Sequence, residues 1–247
     1  MRGLFNLVWV QAKLYLREPV ATFFTIFWAP LALVLFGLIY GNEPTTLFGG
    51  LGTMDVTVPS YIGLVTVTVG LMSVPIQAAM NRETGVLRRY RATPLRPITY
   101  LAADVLVYYC MAILGILLLI LVGVLAFNVR FEGNVFSVLG GFSLGALSFF
   151  AFGYLIAGLA PTARIAQTVG MVLSFPMMFI SGATIPLETL PEGLRRVANY
   201  IPLTHVVVLM RGLWVGQPWG ELWVHAVVLV GVLVVGAAVS ALTFRWE

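Results

Sequence analysis

Residues 99–127 read TYLAADVLVYYCMAILGILLLILVGVLAF, and Asp104 is the one charged group among them. Crossing the ~30 Å hydrocarbon core of a bilayer takes about 20 apolar residues at 1.5 Å of helix rise each. This run is long enough to span and then to tilt or project. Five more runs accompany it, at roughly 20–40, 59–80, 134–160, 165–184 and 222–244. In lipid only helices and closed barrels satisfy their own backbone groups. The runs are continuously apolar and do not alternate with period two, which selects helices over a barrel. The chain is 60% hydrophobic and 10% charged, with a mean hydropathy of +0.98. Water solvates such a surface poorly. The fold class is therefore all-α integral membrane, with six transmembrane helices in one domain over 1–247 and no stretch left for a soluble catalytic domain.

Basic residues set the sidedness. With the N-terminus inside, Arg2, Lys13, Arg17, Arg82, Arg88, Arg89, Arg91, Arg96, Arg164 and Arg245 fall in the cytoplasm. Only Arg130, Arg195, Arg196 and Arg211 fall outside. The connector at 41–58 holds Glu43 and Asp55 and no basic residue. Positive charge is retained inside, so both termini are expected in the cytoplasm of a bacterial-type inner membrane. The pI near 9.5 reflects this topology, since the basic residues border apolar runs, and it does not imply nucleic acid.

Two amphipathic pieces flank the spans. In residues 1–18, Arg2, Asn6, Lys13 and Arg17 share one narrow helical face, while Leu7, Trp9, Leu14 and Leu16 lie elsewhere. That pattern predicts a helix lying in the cytoplasmic interface. It differs from a signal peptide, since polar residues interrupt the apolar stretch and no small-x-small site follows. Residues 185–214 are punctuated by Pro186, Pro191 and Pro202. Between them Leu194, Val197, Ala198 and Ile201 follow i, i+3, i+4, i+7. This predicts a short amphipathic helix and a second apolar piece, an external re-entrant hairpin dipping into the outer leaflet.

Some chemistry is absent. A phosphate-binding loop needs G-x-x-x-x-G-K-[ST], and the single lysine, Lys13, follows Gln11 and Ala12. Any ATP and Mg must be bound by another chain. His205 and His225 stand alone in sequence without cysteine or carboxylate at ligand spacing, so neither a metal nor any other cofactor is expected. Cys110 lies inside an apolar run and has no partner cysteine. The segment GFSLG at 141–145 fits a G-x-S-x-G nucleophile pattern, but in an apolar span and not on a strand–turn–helix. Two readings stay open: an intramembrane serine protease pairing Ser143 with His225, or a Gly141-x-x-x-Gly145 helix-packing face.

Within the spans, Thr66, Gly70, Ser73 and Gln77 recur on one face of the second. In the fifth, Gln167, Met171, Ser174, Met178 and Ser181 do the same. Weakly polar groups and pliable thioethers suit a pathway for an amphipathic solute; polar helix–helix contact explains the same faces equally well. Asp104 is expected to reach the cytoplasmic interface.

The stretch NRETGVLRRYRATPLRP, residues 81–97, concentrates five arginines between two spans. As a helix from Thr84 it sets Val86, Leu87 and Tyr90 opposite Arg88 and Arg89, and Thr93-Pro94 ends it. Glu83, Gly85, Leu87, Thr93, Pro94 and Leu95 resemble the E-x-G-T-L … T-P-L stretch of type-2 ABC exporter permeases, with Val86 in place of the threonine. Ser181, Gly182, Pro186, Leu187, Pro191, Pro202, Leu203, Thr204 and Arg211 resemble the same family's external S-G-x-x-x-P-L … P … P-L-T pattern and its terminal arginine.

The resemblance implies a permease subunit without catalytic residues of its own. Two permease copies, a homodimer or a heterodimer, would sit in the lipid bilayer above two ABC ATPase subunits. The cargo would be a hydrophobic or amphipathic small molecule moved by alternating access; a polysaccharide, lipid or ion cargo, and a carrier driven by an ion gradient, are the competing readings. Residues 81–97 become the coupling-helix loop, with Glu83, Gly85, Leu87, Arg88, Tyr90, Thr93 and Pro94 meeting the ATPase. Thr66, Ser73, Gln77, Gln167, Met171, Ser174 and Met178 become the candidate path, and Pro186, Pro191, Pro202, Thr204 and Arg211 the hairpin.

Overall fold

The structure is a computed structural model that describes residues 2–86 and 97–243, the side chains of residues 2–4, 97 and 98 excepted. Helix α1 covers Arg2–Leu16. Six helices of membrane-spanning length and hydropathy follow among the described residues: α2 (Pro19–Tyr40), α3 (Thr53–Glu83), α4 (Pro97–Phe127), α5 (Val135–Leu159), α6 (Ala163–Ile180) and α9 (Trp223–Thr243). Between the last two lie α7 (Glu192–Ala198) and α8 (Pro202–Trp214).

The largest boundary shift is at α3, which begins at Thr53 and not near Pro59. Asp55 explains it. Its Oδ2 accepts from Gly52 N–H at 3.0 Å, satisfying a donor at the helix start. Its Oδ1 accepts from Arg130 N–H at 2.9 Å and from Asn42 Nδ2 at 3.3 Å. Asn42 in turn donates to Phe127 O at 2.9 Å and accepts from Met54 N–H. An acid that reads as part of a polar loop is thus buried, tying the 41–52 connector to the N-terminal end of α3 and the C-terminal end of α4.

α3 is the hub. Nearly four fifths of its apolar window (78%) is buried, against 11% for α9 at the periphery. It packs on α2, α4, α5, α6 and α8. Glycine makes the closest of these approaches possible, because a missing Cβ lets two backbones touch. A methyl on Gly153 of α5 would overlap Gly70 O of α3, and one on Gly170 of α6 would overlap Leu71 O. A π-helical segment, Thr68–Ser73, lies at this crossing and divides α3 into an N-terminal and a C-terminal half, termed outer and inner after the sides the sequence leads one to expect. A second π-helical segment, Phe23–Phe27, interrupts α2.

The hairpin differs from expectation in one respect. α8 does not offer its apolar side to the outer leaflet: Leu203, Val206, Val207, Leu209, Met210, Leu213 and Trp214 are all buried, against α3, α5 and α9. A methyl on Gly141 or Gly145 would press on Leu213 or Val206 respectively, so that pair is a packing seat for α8. α7 by contrast is exposed except at Ala198.

Candidate functional site

At the C-terminal end of α3 two adjacent charges are used within the chain. Arg82 Nη1 donates to Ala157 O at 2.9 Å and Nη2 donates to Ala160 O, filling carbonyls that the C-terminus of α5 leaves unpaired. Glu83 Oε1 accepts from Ala163 N–H at 2.7 Å, where α6 begins and Thr162 Oγ1 caps Ile165 N–H. The start of the connector is therefore fastened to the α5–α6 turn. Gly85, at φ +69°, carries the chain out of α3 in a left-handed turn, with Gly85 N–H donating to Arg82 O. Leu87, Arg88, Tyr90, Thr93 and Pro94 lie outside the described residues.

The candidate path residues do not share one surface of the single chain. Thr66 is fully buried and donates its hydroxyl to Ile62 O within α3, and Ser174 is fully buried at the α6–α3 side. Ser73 and Gln77 are half-buried, and Gln77 Nε2 donates to Asn81 Oδ1, whose own amide donates to Tyr100 OH of α4. Gln167 is exposed, while Met171 and Met178 are half-buried. The open face of α6 is chiefly apolar, at Val169, Val172, Phe175 and Phe179. That i, i+3, i+6, i+10 spacing is legible in the sequence beside the polar stripe, and it is the signal that marks the open face.

At the opposite end of the bundle the hairpin residues converge. Pro191 precedes α7 and Pro202 opens α8, as fixed φ and a missing N–H favour. Pro186 leads into a turn of 3₁₀ helix, Leu187–Thr189. Arg211 of α8 returns to this turn with a two-pronged ion pair to Glu188, at 2.7 and 3.3 Å. Thr204 is buried beside the start of α8. A methyl on Gly63 would sit 2.8 Å from Val207 and 3.7 Å from Leu203, which sets the start of α8 about ten residues below the outer end of α3.

The protease pairing does not form. Ser143 Oγ donates to Leu139 O and shares a 2.6 Å hydrogen bond with Tyr109 OH. His225 instead meets His205, with Nδ1···Nδ1 at 2.9 Å, a pairing that a separation of twenty positions in the chain hid. Asp104 also departs from expectation. It is turned inward, 6% exposed, and its Oδ2 accepts from Tyr154 OH at 2.6 Å. Tyr100, Asp104 and Tyr108, spaced i, i+4, i+8, are the legible sign that this side of α4 is not lipid-facing.

Comparison with known proteins supplies the family. The profile described as ABC-2 family transporter protein matches residues 39–242, which takes in five of the six apolar helices and only the last two residues of α2. The chain belongs to the ABC-2 transporter family. Among its relatives, Nodulation protein J of Rhizobium leguminosarum bv. viciae is 31% identical over 103 residues, 42% of this chain and 40% of that protein. The probable multidrug ABC transporter permease YbhR of Escherichia coli (strain K12) is 25% identical over 172 residues, 67% of this chain and 46% of the relative. ABC transporter G family member 20 of Dictyostelium discoideum is 26% identical over 200 residues, 79% of this chain and 26% of the relative. The chain thus spans less than half the length of each of these relatives. As an ABC-2 family member with six apolar helices it is a multi-pass membrane protein.

The histidine pair gives this ABC-2 chain a pH dependence. His205 Nε2 lies 3.1 Å from Asn199 O, and a carbonyl can only accept, so Nε2 carries the proton and Nδ1 receives one from His225. Burial lowers the His205 pKa below its ordinary value. The folded chain therefore stays neutral here where the unfolded chain would take up a proton. Stability conferred by this site is full above the unfolded value of about 6.5 and falls as pH drops through it. Thermal unfolding of purified protein between pH 7.5 and 5.5 should show that fall, and His205→Asn should flatten it.

Proposed function

We propose that the chain is the permease subunit of an ATP-driven exporter, moving a hydrophobic or amphipathic small molecule out of the cytoplasm of a bacterial-type cell. A separate ABC ATPase, present in two copies, binds ATP and Mg; this chain catalyses nothing. Both termini lie on the cytoplasmic side of the inner membrane, and a second permease copy, identical or a sister chain, completes the path. The name of the multidrug permease relative supports the cargo class.

One observation carries the mechanical side of the reading. Arg82 and Glu83 join the first residues of the arginine-rich connector to the α5–α6 turn. A push on residues 84–97 from the cytoplasm therefore acts on the inner half of α3 and on two further spans together. The π-helical segment Thr68–Ser73 is where such a movement would be taken up, since its hydrogen bonding is looser than that of the flanking α-helix. The outer half of α3 is packed on every side and stays in place. Gln167, Met171 and Met178 flank the open apolar face of α6 and would border the path that a second copy completes.

Leu87→Asp tests the coupling. A charge on the apolar knob should abolish stimulation of the partner ATPase and its co-purification, with the permease inserted in normal amount. Full ATPase stimulation by that variant would remove residues 84–91 from the coupling role.

A further inference from the structure

Under α1 lies a half-open cavity of about 70 Å³. Gln11, Leu14 and Tyr15 line it from α1, Gln77 and Asn81 from the inner half of α3, Val86 from just past the end of α3, and Tyr100, Asp104 and Tyr108 from the first turns of α4. Glu18 stands at its mouth, exposed.

Among the described residues, the charged groups lining this cavity are Asp104 and Glu18, both acids. Asp104 is buried, and only Oδ2 has a donor, the Tyr154 hydroxyl; among the described residues none reaches Oδ1. Gln11 Oε1 is shielded from solvent and has no donor either. The amide donors nearby are already taken, Gln77 Nε2 by Asn81 and Asn81 Nδ2 by Tyr100. Two acceptors, Asp104 Oδ1 and Gln11 Oε1, thus lack a donor among the described residues. A buried carboxylate in that condition is costly until a cation meets it.

The walls select the kind of cation. Tyr15 and Tyr108 meet edge to face with centroids 5.6 Å apart, and Tyr100 stands beside them. Phenol rings attract organic cations through their faces. A small divalent metal would need about six oxygen ligands or retained waters, which aromatic walls do not supply. The volume suits a head group little larger than water, which takes about 30 Å³ in the liquid. Leu14 and Val107 continue from the cavity as an apolar edge, and Leu14 is exposed toward the lipid side. We infer that this cavity binds the primary ammonium head of an amphipathic amine, with Asp104 as counter-ion, Gln11 Oε1 as a second acceptor and the tail leaving along Leu14. The inference rests on the exporter reading only where it would call that amine a cargo; the binding itself does not.

Titrating purified protein in neutral maltoside detergent with octylamine, 1-octanol and a lysophosphatidylethanolamine, followed calorimetrically, tests it. Octylamine should bind with saturation and 1-octanol should not. Asp104→Asn, which keeps the shape and removes the charge, should weaken octylamine binding about tenfold or more, as loss of a charge-assisted hydrogen bond predicts. Gln11→Leu, on an outer helix and safer for folding, should weaken it several-fold. Stronger binding of octylamine than of the lysolipid assigns the site to free amines, and the reverse assigns it to an aminolipid head group; both uphold an ammonium site. Equal heats for octylamine and 1-octanol, or undiminished binding by well-folded Asp104→Asn and Gln11→Leu, would overturn it while leaving the Leu87→Asp test of ATPase coupling untouched.

Discussion

Gly153→Leu should leave almost no folded protein in the membrane, whereas Gly231→Leu should accumulate normally. Both residues are helical glycines in apolar spans, so hydropathy treats the two changes alike. Packing does not. Added atoms at Gly153 would run into Gly70 O and the Val74 side chain of the central helix, and Gly70 itself lies against the Phe149 backbone. Neither wall is the tip of a flexible side chain, so relief requires α3 and α5 to separate. Overpacking of a close interior contact costs about 1–3 kcal/mol, and more when backbone must move. A methyl on Gly231 would meet nothing within 4 Å, and this glycine projects from the peripheral α9. Gly153→Ala should fall between the two. Detergent-extracted, monodisperse yield measured side by side checks the series, and equal yields for all three variants would mean the α3–α5 crossing is not as close as described.

Arg82→Ala should cost nearly as much and in a different way. The guanidinium is half-buried and satisfies Ala157 O and Ala160 O at the frayed end of α5. Hydrogen bonds from a charged donor contribute about 1.5–3 kcal/mol each, and removing the donor leaves both carbonyls unpaired. A loss of about 3 kcal/mol is expected, read as a fall of several degrees in thermal unfolding. Glu83→Gln should be milder, because the amide oxygen still accepts from Ala163 N–H while the favourable charge at the start of α6 is lost. In a complex that hydrolyses ATP, Arg82→Ala should also loosen hydrolysis from transport, since the connector would no longer grip the α5–α6 turn. An Arg82→Ala protein as heat-stable as the parent would show that the carbonyls find other partners.

Periodicity runs out at the candidate path. Thr66, Ser73 and Gln77 do share one side of a helix, but α3 is covered all round through most of its length, so a polar stripe there has no open side to mark. A hub helix and a lining helix look alike until neighbours are in place. α8 makes the same point: its apolar pattern suited a piece dipping into lipid, and the protein itself covers it. The glycines of α5 are ambiguous between catalysis and packing in sequence, and Leu213 and Val206 seated on them decide for packing.

Six spans, their approximate ends, the helix at residues 2–16 and the prolines opening the hairpin helices were all determined by the sequence alone, because each depends on neighbours within a few residues. Burial of apolar surface and completion of backbone hydrogen bonds act there on contiguous chain, so the code is local. The inward turn of Asp104, the histidine contact, the Arg82–Glu83 clamp and the cover over α8 were decided only in three dimensions. Their partners lie 20 to 80 residues away or on several elements at once, and in a chain of nearly uniform greasiness hydropathy cannot say which helix faces which. Close fit, backbone against backbone where glycine permits, makes that choice.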